Sequence, residues 1–296
     1  MIGAGRGRRA AIVLMVGVAI GIGLGIRSAD PSRADPPAEA ARQRLLASAA
    51  KDADAALARL GADLLASRDH ARRGAALTVS GEAPAPELTS GADLLAGSSD
   101  EAEAARRALL ALQGVAASVA PGAQVPLLSY GGTDVQLVAA QLRTSAAAAT
   151  LFVDRRHATQ AVVEALAGAL AALERDDPGL ALTSLDQADA PLAVLEEWKD
   201  RPPLLRYWME VSADLIGAAH DIARATLDHD PAAIAAAGRR YADAAERARG
   251  ADNALALTLS EEGSGVSATP LRRLASLADE AADARGRLAL LLRAAS

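Results

Sequence analysis

Leu46, Ala49, Ala53, Leu57, Leu60 and Leu64 recur at spacings of three and four residues, which places all six on one face of an α-helix. The same periodicity, punctuated by Pro, Gly and Asp, fills most of the 296-residue chain. Only 124–130 reads as extended, and Pro126 sits inside it, where it removes a ladder donor. The pattern therefore predicts an all-α fold without a sheet.

Helix starts are legible from their caps. Asp35-Pro36-Pro37 opens a first long helix over about 38–77, because proline is tolerated in a first turn and Glu39 complements the helix dipole. Residues 78–97, with Gly81, Pro84, Pro86 and Gly91, read as a break. Ser98 with Glu101 forms a capping box for a second helix, which Pro121-Gly122 stops near 120. Thr133 with Gln136 repeats the pattern and opens a helix reaching about 175. Asp177-Pro178 and Asp230-Pro231 start two more, the first kinked at Pro191, while Arg201-Pro202-Pro203 and Thr269-Pro270 open the others. The two Asp-Pro junctions lie 53 residues apart, with Ala188-Asp189-Ala190 and Ala242-Asp243-Ala244 following at similar distances. A duplicated hairpin across 150–198 and 203–255 gives that pattern, and so do two unrelated helices that each begin on a good cap. The organisation expected is a leader over 1–34, a long helical hairpin over 35–120, a linker over 121–132 and a multi-helix bundle over 133–296.

Residues 10–26 are an unbroken apolar run behind Arg6, Arg8 and Arg9. That length lies between the core of a secretory signal and a short membrane-spanning helix of ~17–25 residues. Ser32-Arg33-Ala34 offers small residues at the −3 and −1 positions of a cut before Asp35, which favours cleavage. Gly17, Gly21 and Gly25 recur every fourth residue on one helix face, which favours a retained anchor that self-associates. The anchor is the expectation, with the N-terminus inside. On either reading the remainder is extracytoplasmic, membrane-anchored or secreted.

The formal charge is −6, and the five arginines and one aspartate of 1–34 leave −10 on the rest. An acidic surface with 2% aromatic residues lacks the cations and stacking rings that nucleic acid requires, so no nucleic-acid partner is expected. The chain has no cysteine, which removes disulfides, thiolate metal sites and cysteine nucleophiles. Its 31 basic residues include only two lysines, Lys51 and Lys199, as in proteins from GC-rich bacterial genomes. Neither lysine follows a glycine, so the phosphate-cradling P-loop is absent; so are the Gly-x-Ser-x-Gly elbow and the His-Glu-x-x-His helix.

Three groups of residues remain as candidates. His220, Asp221, Asp228, His229 and Asp230 are ligand types for a divalent metal, but Asp230 also serves as a helix cap and His229 suits a C-terminal dipole. That use accounts for them fully, and no metal site is expected. Ser129-Tyr130-Gly131-Gly132-Thr133 precedes a helix start, where free N–H groups either hold an anion or are capped by the chain itself. Tyr207, Trp208 and Met209, with Trp198 and Phe152, carry most of the aromatic bulk. They line a small-molecule pocket or plug a helix crossing. Glu196-Glu197 and Glu261-Glu262 read as solvated surface.

The reading that emerges is a non-enzymatic extracytoplasmic scaffold or protein-interaction module of the cell envelope, acting through a protein partner or self-association and touching the membrane through 10–26. The alternative is a sensory or small-ligand-binding bundle with its pocket at Tyr207, Trp208 and Met209. No catalytic residue and no cofactor is expected.

Overall fold

The computed structural model describes residues 36–119, 122–198 and 203–295, and these form nine α-helices and no strand. In chain order they are α1 (Pro36–Ser80), α2 (Ala85–Gly97), α3 (Ser99–Val119), α4 (Gly132–Glu174), α5 (Pro178–Asp186), α6 (Asp189–Glu196), α7 (Pro203–Leu227), α8 (Pro231–Gly265) and α9 (Ala268–Ala295). The apolar run at 10–26 and the cut before Asp35 lie outside the described residues. Among the described residues no helix is long and apolar enough to cross a membrane.

Helix α1 buries the stripe that its sequence announces, with Ala53, Leu57, Leu60 and Leu64 at most 1% exposed. Helix α2 folds back along it, so residues 78–97 are not the continuous break expected from their Gly and Pro content. Only 81–84 turn, with Gly81 at φ 84°, and Pro86 and Glu87 then suit the first turn of a helix. Gly91 does not break α2 because it is the point of closest approach. A Cβ there would lie 3.0 Å from the Ser67 carbonyl of α1, and Ser67 Oγ donates to the Gly91 carbonyl, tying α1 to α2.

Three further boundaries differ from expectation. Ser98 does not cap α3 with its side chain: its Oγ donates to the Leu94 carbonyl at 2.7 Å and to Asp63 at 3.2 Å. At α4 the box is formed by Asp134, whose carboxylate accepts the Gly131 N–H at 3.0 Å, and not by Thr133 and Gln136. Pro191 kinks nothing, because the chain already breaks between Asp186 and Asp189, leaving the proline in the first turn of α6. Both Asp-Pro junctions are hairpin turns of one design. Asp176 (φ 58°) and His229 (φ 52°) end the preceding helix in left-handed conformation, and Asp177 and Asp230 cap the next. The later similarity stops there, since Ala188 lies at a helix break whereas Ala242 lies inside α8.

The apolar interior falls into two clusters joined by α4. The first gathers Leu57 and Leu64 of α1, Leu88 of α2, Leu109 of α3, Leu274 of α9 and the first half of α4. Residues 35–120 therefore close their core only with α4 and α9. The second gathers the remainder of α4 with Leu185, Leu195, Leu205 and Leu255 of α5 to α8. Along α4 the first buried stripe runs through Val135, Leu142 and Ala149, and the second through Val162, Ala165 and Ala169. At ~100° per residue, Ala149 and Ala165 lie roughly 160° apart around the helix, so α4 buries nearly opposite sides in its two halves.

Residues 122–131 are held against α9 as a strap. Glu280 accepts from both the N–H and the hydroxyl of Ser129, and the Tyr130 hydroxyl donates to the Leu277 carbonyl at 3.0 Å. The anion at this Gly-rich turn is thus the protein's own Glu280, with Asp134 beside it. Burial, and Glu280 nearby, hold the Tyr130 phenol above its ordinary range. A raised phenol contributes stability that is complete below pH ~10 and is lost as pH rises further. Tyr130→Phe is expected to cost about 1 kcal/mol at pH 8. Urea denaturation should also show the wild type losing stability more steeply than the variant above pH ~10; parallel pH profiles would contradict this.

Candidate functional site

At ~100° per residue, the continuation of the first α4 stripe past Ala149 falls on Phe152, Arg156, Thr159 and Val163. The first core ends at Ala149 and the second begins on the other side of α4, so these residues have no core to enter. They form one wall of a half-open cleft of about 580 Å³. Helix α8 supplies the facing wall through Asp252, Leu255, Leu259, Ser260 and Gly263; Trp208 of α7 and Val79 of α1 complete the lining.

Each wall is held by specific contacts. A Cβ on Gly263 would stand 2.8 Å from the Phe152 ring, so the two helices meet there through glycine. Trp208 is 2% exposed, and its indole N–H donates to Asp252 at 2.7 Å. Arg156 donates from Nη1 to the Val79 carbonyl, and His157 pairs with the Gly81 carbonyl at 2.8 Å. Two adjacent side chains of α4 thereby satisfy carbonyls that the end of α1 leaves open. Among the described residues no carboxylate pairs with Arg156 and no cation pairs with Asp252.

The expected trio does not converge on one pocket, because consecutive helix residues point ~100° apart. Trp208 lines the cleft; Met209 is buried in the second core, and Tyr207 is 43% exposed. Phe152 lines the cleft, whereas Trp198 carries the Arg155 guanidinium 3.8 Å above its ring. Glu262, expected as solvated surface, is half-buried; desolvation pushes its carboxyl above the ordinary range, and Arg155 works against that shift. The histidine and aspartate group is dispersed to other partners. His220 lies 3.6 Å from Asp186, Asp221 accepts from Arg240 at 2.6 Å, and Asp230 caps α8. Among the described residues no three His, Asp or Glu side chains are grouped to hold a metal ion.

Sequence reasoning did not find Arg156, Thr159, Asp252 or Ser260. The available signal was the polar run Asp154-Arg155-Arg156-His157, which interrupts the apolar pattern of α4. Compared with known proteins, the chain matches no family model, no curated protein and no solved structure. The Gly263 contact gives a test whose sign opposes helix propensity. Replacing a glycine by alanine where the helical backbone already suits alanine ordinarily stabilises by roughly 0.4–1 kcal/mol, but Gly263→Ala, in the last turn of α8, is expected to destabilise by about 1 kcal/mol or more through overlap with Phe152. A stabilised variant in urea denaturation would contradict the contact.

Proposed function

We propose that this protein is a sensory or small-ligand-binding helical bundle of the cell envelope, tethered through 10–26, that binds its ligand in the cleft between α4 and α8. The observation that carries the reading is the cleft itself. Its volume of about 580 Å³ falls within the range of small-molecule sites, and apolar walls surround a few polar groups, as in such sites. The role proposed is binding: the polar groups of the lining, Arg156, Thr159, Gln160, Asp252 and Ser260, are of the kinds that orient a ligand.

A protein-interaction module is the second reading, favoured by a different observation. Val125, Pro126 and Leu127 of the strap face Leu290 and Leu291 of α9 across a shallow groove, and Leu127 and Leu290 are 48% and 63% exposed. Exposed apolar surface of this kind suits a partner helix or a second copy.

Screening small metabolites by thermal shift on the full chain and on Ala256→Trp separates the two. Ala256 is an exposed residue of the cleft wall, so the indole should fill the cleft while leaving the fold intact. The expected outcome is a compound that raises Tm for the wild type but not for the variant. Shifts that persist in Ala256→Trp, or no shift from any compound, would overturn the ligand reading. For the tether, fractionation of cells and sequencing of the mature N-terminus should find a membrane-bound chain that retains 10–26; soluble protein beginning at Asp35 would contradict it.

A further inference from the structure

The cleft carries one cationic and one anionic side chain, Arg156 on its α4 wall and Asp252 on its α8 wall. Gly263 meets Phe152, while Ala251 and Leu255 belong to the second core, which α4 enters only from Ala158 onward, so α4 and α8 run antiparallel along the cleft. Arg156 is four residues along α4 from that meeting point, and Asp252 is eleven residues back along α8. At ~1.5 Å rise per residue, the two charged residues are offset by roughly 10 Å along the cleft.

Among the described residues neither side chain is paired with an opposite charge. The only protein acceptor of Arg156 among the described residues is the Val79 carbonyl, which occupies one of the guanidinium's five donors. Asp252 takes the Trp208 N–H on Oδ1, which leaves most of its carboxylate lone pairs open. Between them stand Thr159 and Gln160 on α4, which already donate to the Arg155 carbonyl and to Glu164 and so present acceptor oxygens, while Ser260 on α8 lies level with Arg156. Phe152, Val163, Leu255 and Leu259 supply apolar surface.

A ligand that satisfies all of these has an anion at one end, a cation about 10 Å away, hydrogen-bonding groups along its middle and apolar branches. An extended chain advances ~3.3–3.6 Å per residue, so three residues span that offset. A fatty acid offers nothing to Asp252, which is exposed, and a diamine sets an ammonium against Arg156; each leaves one of the two charged groups without a ligand partner. We infer that the cleft takes a short, mostly apolar peptide of about three residues with free termini, its carboxylate on Arg156 and its ammonium at Asp252. This rests on the ligand-binding reading above and adds the class of ligand.

Calorimetric titration of the full chain in detergent tests it, using Ala-Leu-Ala as the probe beside its N-acetylated and C-amidated forms. The free peptide is expected to bind, and blocking either terminus should weaken it by about tenfold or more. Arg156→Gln should abolish the penalty of amidation while keeping that of acetylation, and Asp252→Asn should do the reverse. The blocked peptides probe the wild type directly, so the test stands even where a variant fails to fold. Equal binding of free and blocked peptides overturns the assignment of ligand class. If no peptide binds while a metabolite shifts Tm in the Ala256-dependent manner, the inference fails and the cleft remains a binding site. If nothing binds, both fail together.

Discussion

The reversal of the buried face along α4 is the constraint from which the rest of the arrangement follows. A helix that buried one continuous stripe over 43 residues would carry a single core along its whole length. Because the stripe through Ala149 and the stripe through Ala165 lie on nearly opposite sides, the two cores sit on opposite flanks of one rod. The first stripe must then be covered by something other than a core where it continues. Helix α8 covers it only partly, meeting α4 through Gly263 and Phe152 and leaving the cleft open beyond.

Small side chains form much of the second core on the reversed face of α4. The second half of α4 is buried largely through Ala158, Ala165, Ala169 and Ala172, against Ala181, Ala219 and Ala223 of its neighbours. Each alanine contributes little apolar area, so contact depends on helix axes approaching closely. Leucine and tryptophan then fill the wider spaces, with Leu195, Leu205 and Trp208 nearly inaccessible. Exposed ion pairs such as Arg143–Asp93, Arg247–Asp214 and Arg285–Asp54 join neighbouring helices across the surface. Pairs of this kind set alignment more than they add stability, at ~0–1 kcal/mol each.

Where the fold was legible, the signal was local. The helical class, the stripe from Leu46 to Leu64 and the Asp-Pro starts at 177 and 230 each depend on residues within a turn or two of one another. Helix α2 was hidden because its glycines read as breakers; only the presence of α1 at Ser67 turns Gly91 into a contact residue. The roles of Ser98 and Asp134 were misassigned for a related reason, since adjacent residues compete for the same cap and tertiary partners choose between them. The cleft was least legible. Arg156 and Asp252 stand on helices far apart in the chain, and nothing in the spacing of either wall announces the other. Trp208 was singled out for its bulk, yet its use depends on Asp252, and Tyr207 beside it points elsewhere.

Hydrogen exchange along α4 tests the reversal most directly, measured in Leu60→Ala and Leu205→Ala beside the wild type. Leu60 belongs to the first core and Leu205 to the second, and both side chains are fully buried. Each truncation is expected to cost roughly 2–5 kcal/mol locally. Leu60→Ala should accelerate exchange over 135–149 while leaving 158–172 protected, and Leu205→Ala should give the opposite pattern. Equal loss of protection over both stretches in both variants would show a single core along one face of α4, and would contradict the origin assigned to the cleft.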